Sequence, residues 1–266
     1  MHGSRNAFAR GLVVVVMSLF MLLTACSSGS GGSQGELGQL QQLAGRCDPA
    51  APPASFIGID GSGSSSAEAI TAERMAAIES VVTETAVCSG TLSVVGFSGS
   101  SGSTIQLFSS SLAQEGATLN ARLKRVPAAV DTAIETIRSG YVEALGALPQ
   151  NGSDIVGVLR LGAEYAAQLG APFQLRLVIL SDGVQTTGVD LGSRISTSGE
   201  LEQLADGLAV PQLSGATVTV AGLGKISTGS YPTPLVEGLV VFYTRLCART
   251  GAARCSAVTD YVVAGR

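Results

Sequence analysis

The sequence predicts an α/β domain built on a doubly wound, mainly parallel sheet, with helices on both faces and one antiparallel edge strand. Short apolar runs alternate with longer segments of helical periodicity, the pattern of strand–helix–strand units. Two neighbouring runs are separated only by a Gly/Ser-rich turn, which suits a hairpin. Polar clusters stand directly after runs or before helical segments, where such sheets gather their ligands.

Along the chain, Glu36–Arg46 reads either as a short helix or as part of a linker. Ser55–Ile59 is a first strand, ending in Asp60-Gly-Ser-Gly-Ser. A helix follows, with Ile70, Met75, Ile78 and Val82 at helical spacing. Thr91–Phe97 and Thr104–Leu112 form the hairpin around the turn Ser98–Ser103. Pro127 suits the first turn of a helix whose buried face is carried by Val130, Ile134, Ile137 and Val142. After the loop Pro149–Ser153, Ser153 can cap a helix with Ile155, Val158, Leu159 and Leu161. Phe173–Leu180 is the strongest strand and stops at Ser181-Asp182-Gly183. Then come a polar loop at Gly188–Ser198, a short helix marked by Leu201, Leu204 and Leu208, and a strand at Ala216–Ala221. An apolar helix at Leu235–Cys247 and a strand at Ser256–Val263 complete the alternation. Gln114–Asn151 carries more sequence than one crossover needs.

The first 25 residues read as an address. Arg5 and Arg10 give a basic start, and Gly11–Thr24 is an apolar run too short for a spanning helix. The run ends in Leu23-Thr24-Ala25-Cys26, which resembles the lipobox of bacterial lipoproteins. That resemblance implies a signal peptide at 1–25 and lipidation of Cys26. Residues 26–46 would then be a tether, with Ser27–Gly35 expected as random coil, leaving 47–266 as the folded domain. Such a chain would be exported and anchored to a bacterial membrane by its N-terminal lipid, with the domain outside the cytoplasm.

Hydrophobic residues make up 45% of the chain and charged residues 14%, enough apolar side chain for a sizeable core. The formal net charge is −4, with lysines only at Lys124 and Lys225 and no Trp. That composition argues against a nucleic-acid partner. Cys47, Cys88, Cys247 and Cys255 form an even set beyond Cys26, as expected for disulfides in an exported protein. Four cysteines allow three connectivities. Position favours Cys47–Cys88, which fall at one pole of the domain, and Cys247–Cys255, which flank a short helix-to-strand turn. A zinc site would need all four thiolates at unusual spacing, because the single histidine, His2, lies in the address segment.

The same lack of histidine speaks against a Ser-His-Asp hydrolase. The only Gly-x-Ser-x-Gly is Gly31–Gly35, in the tether, and there is no P-loop. No catalytic residue is therefore assigned.

Three clusters can converge: Asp60-x-Ser62-x-Ser64, Ser153, and Asp182. In an extended segment, residues 60, 62 and 64 would point the same way. Carboxylates and hydroxyls without His or Cys are hard donors, suited to Mg²⁺ first and also to Mn²⁺ or Ca²⁺. This pattern resembles the von Willebrand factor A-type domain with its metal-ion-dependent adhesion site, over roughly residues 50–265. Asp60, Ser62 and Ser64 match that family's first loop, and Asp182 in Leu180-Ser-Asp-Gly183 its third. Asn151-Gly-Ser153-Asp154 stands where the family often has Gly-Gly-Thr-Asp, with Ser153 in place of Thr. The resemblance implies a vWA-like, Rossmann-like fold and a divalent ion whose coordination a protein partner's carboxylate completes. Partner choice would lie in the loops Ser98–Ser103, Gln185–Ser198 and Lys225–Thr233. Two other functions are kept: a metal-independent scaffolding lipoprotein and a solute-binding lipoprotein. The second would need two lobes around a cleft.

Overall fold

The computed structural model describes residues 31–65, 67–100, 102–192 and 198–262. The proposed signal peptide and Cys26 lie outside them, as do residues 193–197 of the polar loop. A first unit, Met1–Gln39, includes the start of helix α1 (Gly31–Ala44). Residues 31–35, expected as coil, are therefore helical. A helix nucleated over 36–44 extends backward at lower cost than it starts, which offsets the poor propensity of Gly and Ser.

The second unit, Leu40–Arg266, holds one six-stranded sheet. In chain order its strands are β1 (Pro53–Asp60), β2 (Thr91–Phe97), β3 (Ile105–Ser111), β4 (Gln174–Leu180), β5 (Thr217–Ala221) and β6 (Arg254–Val258). Their spatial order is β3-β2-β1-β4-β5-β6. All neighbours are parallel except β2 and β3, which form the expected antiparallel edge pair. The chain order reverses between β1 and β4, so the crevice beyond their carboxyl ends is the switch point of the sheet.

Helices α2 (Glu68–Val87) and α4 (Val126–Gly146) pack on each other and on β1–β3. The short α3 (Leu119–Leu123) leads into α4 and has no strong sequence signal. Helices α5 (Ile155–Leu169), α6 (Ser198–Gly207) and α7 (Thr233–Arg249) share a core with the inward residues of the other sheet face, among them Phe56, Leu177, Ile179, Val218 and Val220. Strand β1 is buried on both sides, so its centre, Phe56–Ile59, carries no polar residue and shows no alternation. Gly58 faces α5 because a Cβ there would stand 2.8 Å from Val158 Cγ1.

Four local expectations change. Val142 is 79% exposed, and Tyr141 takes the buried position on α4, because 3.6 residues per turn puts 130, 134, 137 and 141 in line. The cap of α5 is Asp154, whose Oδ1 accepts from Gly157 N at 3.0 Å; the Ser153 hydroxyl is committed elsewhere. The last strand ends at Val258 because the chain turns inward there to bury Tyr261. The segment after Asp60 is not extended, since Gly63–Ser65 is a 3-10 turn.

Both preferred disulfides form, Cys47–Cys88 and Cys247–Cys255. They lie near the amino ends of the strands, at the pole opposite the switch point. Among the described residues, no helix is long and apolar enough to cross a membrane.

Candidate metal site

Asp60 ends β1 and is fully buried. Strand register pairs Ile59 with Leu180, so the next step places Ser181 beside Asp60. The Ser181 hydroxyl donates to Asp60 Oδ2 at 2.5 Å. The Ser153 hydroxyl, just ahead of α5, donates toward both carboxylate oxygens at 3.0 and 2.8 Å. Ser62 N donates to Asp60 Oδ1 at 3.0 Å. This turn, continued by Gly63–Ser65, brings the Ser62 and Ser64 hydroxyls to 3.2 Å of each other. The convergence expected from an extended strand is thus achieved by a turn.

Asp182 completes the group. It is 1% exposed, and its Oδ1 accepts from Val184 N at 2.9 Å. Burial pushes its pKa above the usual carboxylate range, and the Asp60 charge pushes the same way. Hydrogen bonds from Ser64 and Val184 and the charge of Arg74 only partly oppose this. Tyr231 leans on Asp182 Oδ2 at 3.4 Å, and its phenol is pushed up to about 12 by burial and then by the Asp182 charge. All five expected ligands, Asp60, Ser62, Ser64, Ser153 and Asp182, therefore lie in one cluster.

Several residues that pattern reading did not single out hold this cluster. Ser227, in the loop after β5, donates from N and Oγ to the Ser64 carbonyl at 2.7 and 2.8 Å, and accepts from Ala67 N. Gly224 N donates to the Asp182 carbonyl at 2.7 Å. Thr186 Oγ1 accepts from Ser153 N at 2.8 Å, tying the third loop to the second. Beneath Asp60 sits Arg74 of α2, wholly buried, with Nη1 donating to the Asp60 carbonyl at 2.9 Å and Nε to the Tyr261 hydroxyl at 3.2 Å. Burial alone would disfavour the charged guanidinium, but Tyr261, Tyr141 and Asp60 outweigh it and raise its pKa. A buried arginine has no periodicity signature, since it occupies a position that reads as a polar break in the apolar face. Gly222 has φ +93°, and a Cβ there would stand 2.2 Å from the Tyr261 ring, so the glycine leaves room for this partner of Arg74.

The donor set suits a hard divalent ion. It offers oxygen alone, from two buried carboxylates whose mutual repulsion a cation would relieve, and from hydroxyls able to turn their lone pairs outward. Among the described residues no group of three or more His, Cys, Asp or Glu could hold a metal. The cluster contains only two carboxylates and depends on hydroxyls for the rest.

No protein-family model and no curated protein sequence matches the chain. Solved structures do resemble it. BatB from Bacteroides thetaiotaomicron is 10% identical with a TM-score of 0.43, covering 77% of this chain and 89% of that one. An aerotolerance-related membrane protein from Bacteroides fragilis is 14% identical with a TM-score of 0.44, covering 79% and 94%. The pilus adhesin SpaC from Lactobacillus rhamnosus GG is 13% identical with a TM-score of 0.42, and this chain spans 29% of its length. At such identities the likeness concerns the arrangement of strands and helices alone.

Proposed function

We propose that this chain is a cell-envelope lipoprotein, anchored through Cys26, whose domain binds a protein partner through a divalent ion, Mg²⁺ foremost. It is a binding protein, not an enzyme. Asp60, Ser62, Ser64, Ser153 and Asp182 hold the ion. When bound, the ion supplies an electropositive centre able to accept an acidic oxygen from the partner. Supporting this reading is the burial of Asp60 and Asp182 side by side at the switch point, with the Asp182 pKa raised by burial and then by the Asp60 charge. Ser181 and Ser227 set the geometry through their hydrogen bonds to Asp60 and to the Ser64 carbonyl, and Arg74 keeps Asp60's backbone in place.

One observation favours a second reading. The Asp60 carboxylate is already hydrogen-bonded by Ser153, Ser181 and Ser62 N. A site satisfied in this way could stay closed in a metal-independent scaffold. Isothermal titration of Mg²⁺, Mn²⁺ and Ca²⁺ into the chain from Glu36 onward separates the two. The first reading expects saturable binding of one ion per chain, lost in Asp60→Ala. Absence of binding in the parent domain, or equal binding in the variant, refutes it and leaves the scaffold.

A further inference from the structure

Charge on the described surface is sorted by pole. Arg138, Arg160, Arg176, Lys225, Arg245 and Arg249 each form an ion pair with a carboxylate, and Arg74 is buried. The other described cations are Arg46, Arg122, Lys124, Arg125 and Arg254, none of them in an ion pair among the described residues. All five lie at the amino pole of the sheet. Arg46 adjoins Cys47, whose bridge to Cys88 closes that pole. Arg122 Nη1 donates to the Ser89 hydroxyl at 2.6 Å, in the turn between α2 and β2. Lys124 and Arg125 stand between α3 and α4, and Arg254 opens β6. Arg46, Lys124, Arg125 and Arg254 are exposed. Asp48 and Glu115 share this pole and offset only part of the charge. The opposite pole is acidic. Asp60, Glu68, Asp154 and Asp182 gather there around the candidate metal site, and its exposed cation, Lys225, is paired with Glu73.

A second observation marks the basic face. Leu119, the first residue of α3, is 45% exposed, and it shares a helix face with Arg122 three residues on. The chain also enters the unit here. Gln41 Nε2 donates to Asn120 Oδ1 at 2.8 Å, so the end of α1 sits beside α3. An anchor at Cys26 therefore joins the domain at this pole.

The breadth of the face decides what covers it. In the order β3-β2-β1-β4-β5-β6, the start of β6 stands four strands from that of β2, about 19 Å away. No small anion spans Arg254 on one side and α3 on the other. A planar array of phosphates does.

We infer that the amino pole docks on a membrane surface rich in anionic phospholipid headgroups, with Leu119 entering the headgroup layer and Arg46, Arg122, Lys124, Arg125 and Arg254 over the phosphates. Attraction at one pole and repulsion at the other turn Asp60 and Asp182 away from the membrane, toward the side from which a partner approaches. The tether concentrates this face at the membrane, so weak docking is enough to orient the domain. The inference rests on the lipoprotein reading for the anchor and not on the ion.

Every strand and both disulfides fall within the compact unit Leu40–Arg266, so the chain from Glu36 onward, which lacks the lipid, serves for the test. It is sedimented with vesicles of phosphatidylcholine alone or mixed equally with phosphatidylglycerol. Binding is expected to the mixed vesicles only. It should fade as salt rises from about 0.1 to about 1 M, which shortens the screening length from about 10 to about 3 Å. Near such a surface one Lys or Arg is worth roughly fivefold in binding, so Lys124→Gln with Arg125→Gln should weaken it about 25-fold. Leu119→Ser should weaken it as well. Arg138→Gln with Arg160→Gln removes the same charge from the middle of α4 and α5 and should leave binding unchanged. Absence of binding to the mixed vesicles, equal binding to both kinds, or undiminished binding in the Lys124, Arg125 double variant overturns the inference. So does an equal loss in the Arg138, Arg160 control. Binding to soluble polyphosphate with none to vesicles also overturns it and assigns the face to a soluble polyanion. Asp60→Ala should bind the mixed vesicles like the parent, so failure of the ion leaves docking untouched. Mass spectrometry of the full chain from bacterial membranes tests the anchor separately: vesicle binding without a lipid on Cys26 refutes the anchor and retains the face.

Discussion

Ser153→Ala separates the helix-cap role that the sequence offers for this residue from the partnership with Asp60 that the structure shows. The serine is 2% exposed, and its hydroxyl donates toward both oxygens of a fully buried carboxylate, at 3.0 and 2.8 Å. A buried hydrogen bond to a charged group contributes about 1.5–3 kcal/mol, so removal should cost about 2 kcal/mol of stability. For a domain of this size, with a urea m-value near 3 kcal/mol/M, the midpoint should fall by about 0.7 M. Loss of capping adds nothing, because Asp154 already accepts from Gly157 N. Ser153→Thr keeps the hydroxyl and should stay near the parent. The assay is urea denaturation followed by circular dichroism, repeated in an Asp60→Asn background. In that background the Ser153→Ala cost should shrink below about 1 kcal/mol, because a neutral amide accepts a weaker bond. A Ser153→Ala cost under about 0.5 kcal/mol, or one undiminished beside Asp60→Asn, refutes the assigned partnership.

Other outcomes follow from the same geometry. Asp182 has a folded pKa above its unfolded one, so the folded state holds the extra proton between the two values. Stability on this account is greatest below the unfolded pKa and falls as pH rises through the folded one. Thermal melts in metal-free buffer should show that decline from about pH 4 upward, and Asp182→Asn should flatten it; an unchanged slope in the variant refutes the assignment. The Cys47–Cys88 bridge spans a sequence separation of 41 and the Cys247–Cys255 bridge one of 8. Loop-closure entropy then gives about 4 and about 2.5 kcal/mol for their removal. Double Cys→Ala variants compared by denaturation should keep that order, and Mg²⁺ titration of the folded fractions should be unaffected, since both bridges lie at the far pole.

The fold was legible because its strongest elements are local. Buried parallel strands make unbroken apolar runs such as Leu177–Leu180, and helices carry spaced apolar residues such as Ile70, Met75 and Ile78. The five candidate ligands were legible because each follows a strand or precedes a helix in a fixed chain order. What escaped depends on tertiary placement. The partnership of Ser181 with Asp60 follows only from β1–β4 register. Ser227 acts across 163 residues of sequence on the Ser64 carbonyl. The exposure of Val142 and burial of Tyr141 differ by one residue of helical phase, which a mixed apolar stretch does not fix.

Charge explains why the cluster would need two visitors on the proposed reading. With Asp60 and Asp182 ionised, their two negative charges and the one positive charge of the buried Arg74 leave these three side chains with one net negative charge before any ion binds. A divalent ion reverses that to one net positive charge, and a single partner carboxylate brings it to zero. In a poorly solvated interior each uncompensated charge is costly, so neutrality is the favoured state. Ion and partner affinities should therefore be reciprocally coupled: an acidic peptide that tightens Mg²⁺ binding must itself be tightened by Mg²⁺ by the same factor. Arg74 is then part of the discrimination. Without its charge, the ion alone would neutralise the two carboxylates, and a partner carboxylate would leave the site negative. Arg74→Met should accordingly strengthen Mg²⁺ binding in the absence of partner and weaken the coupling between the two, whereas a purely structural arginine would lower both with folding.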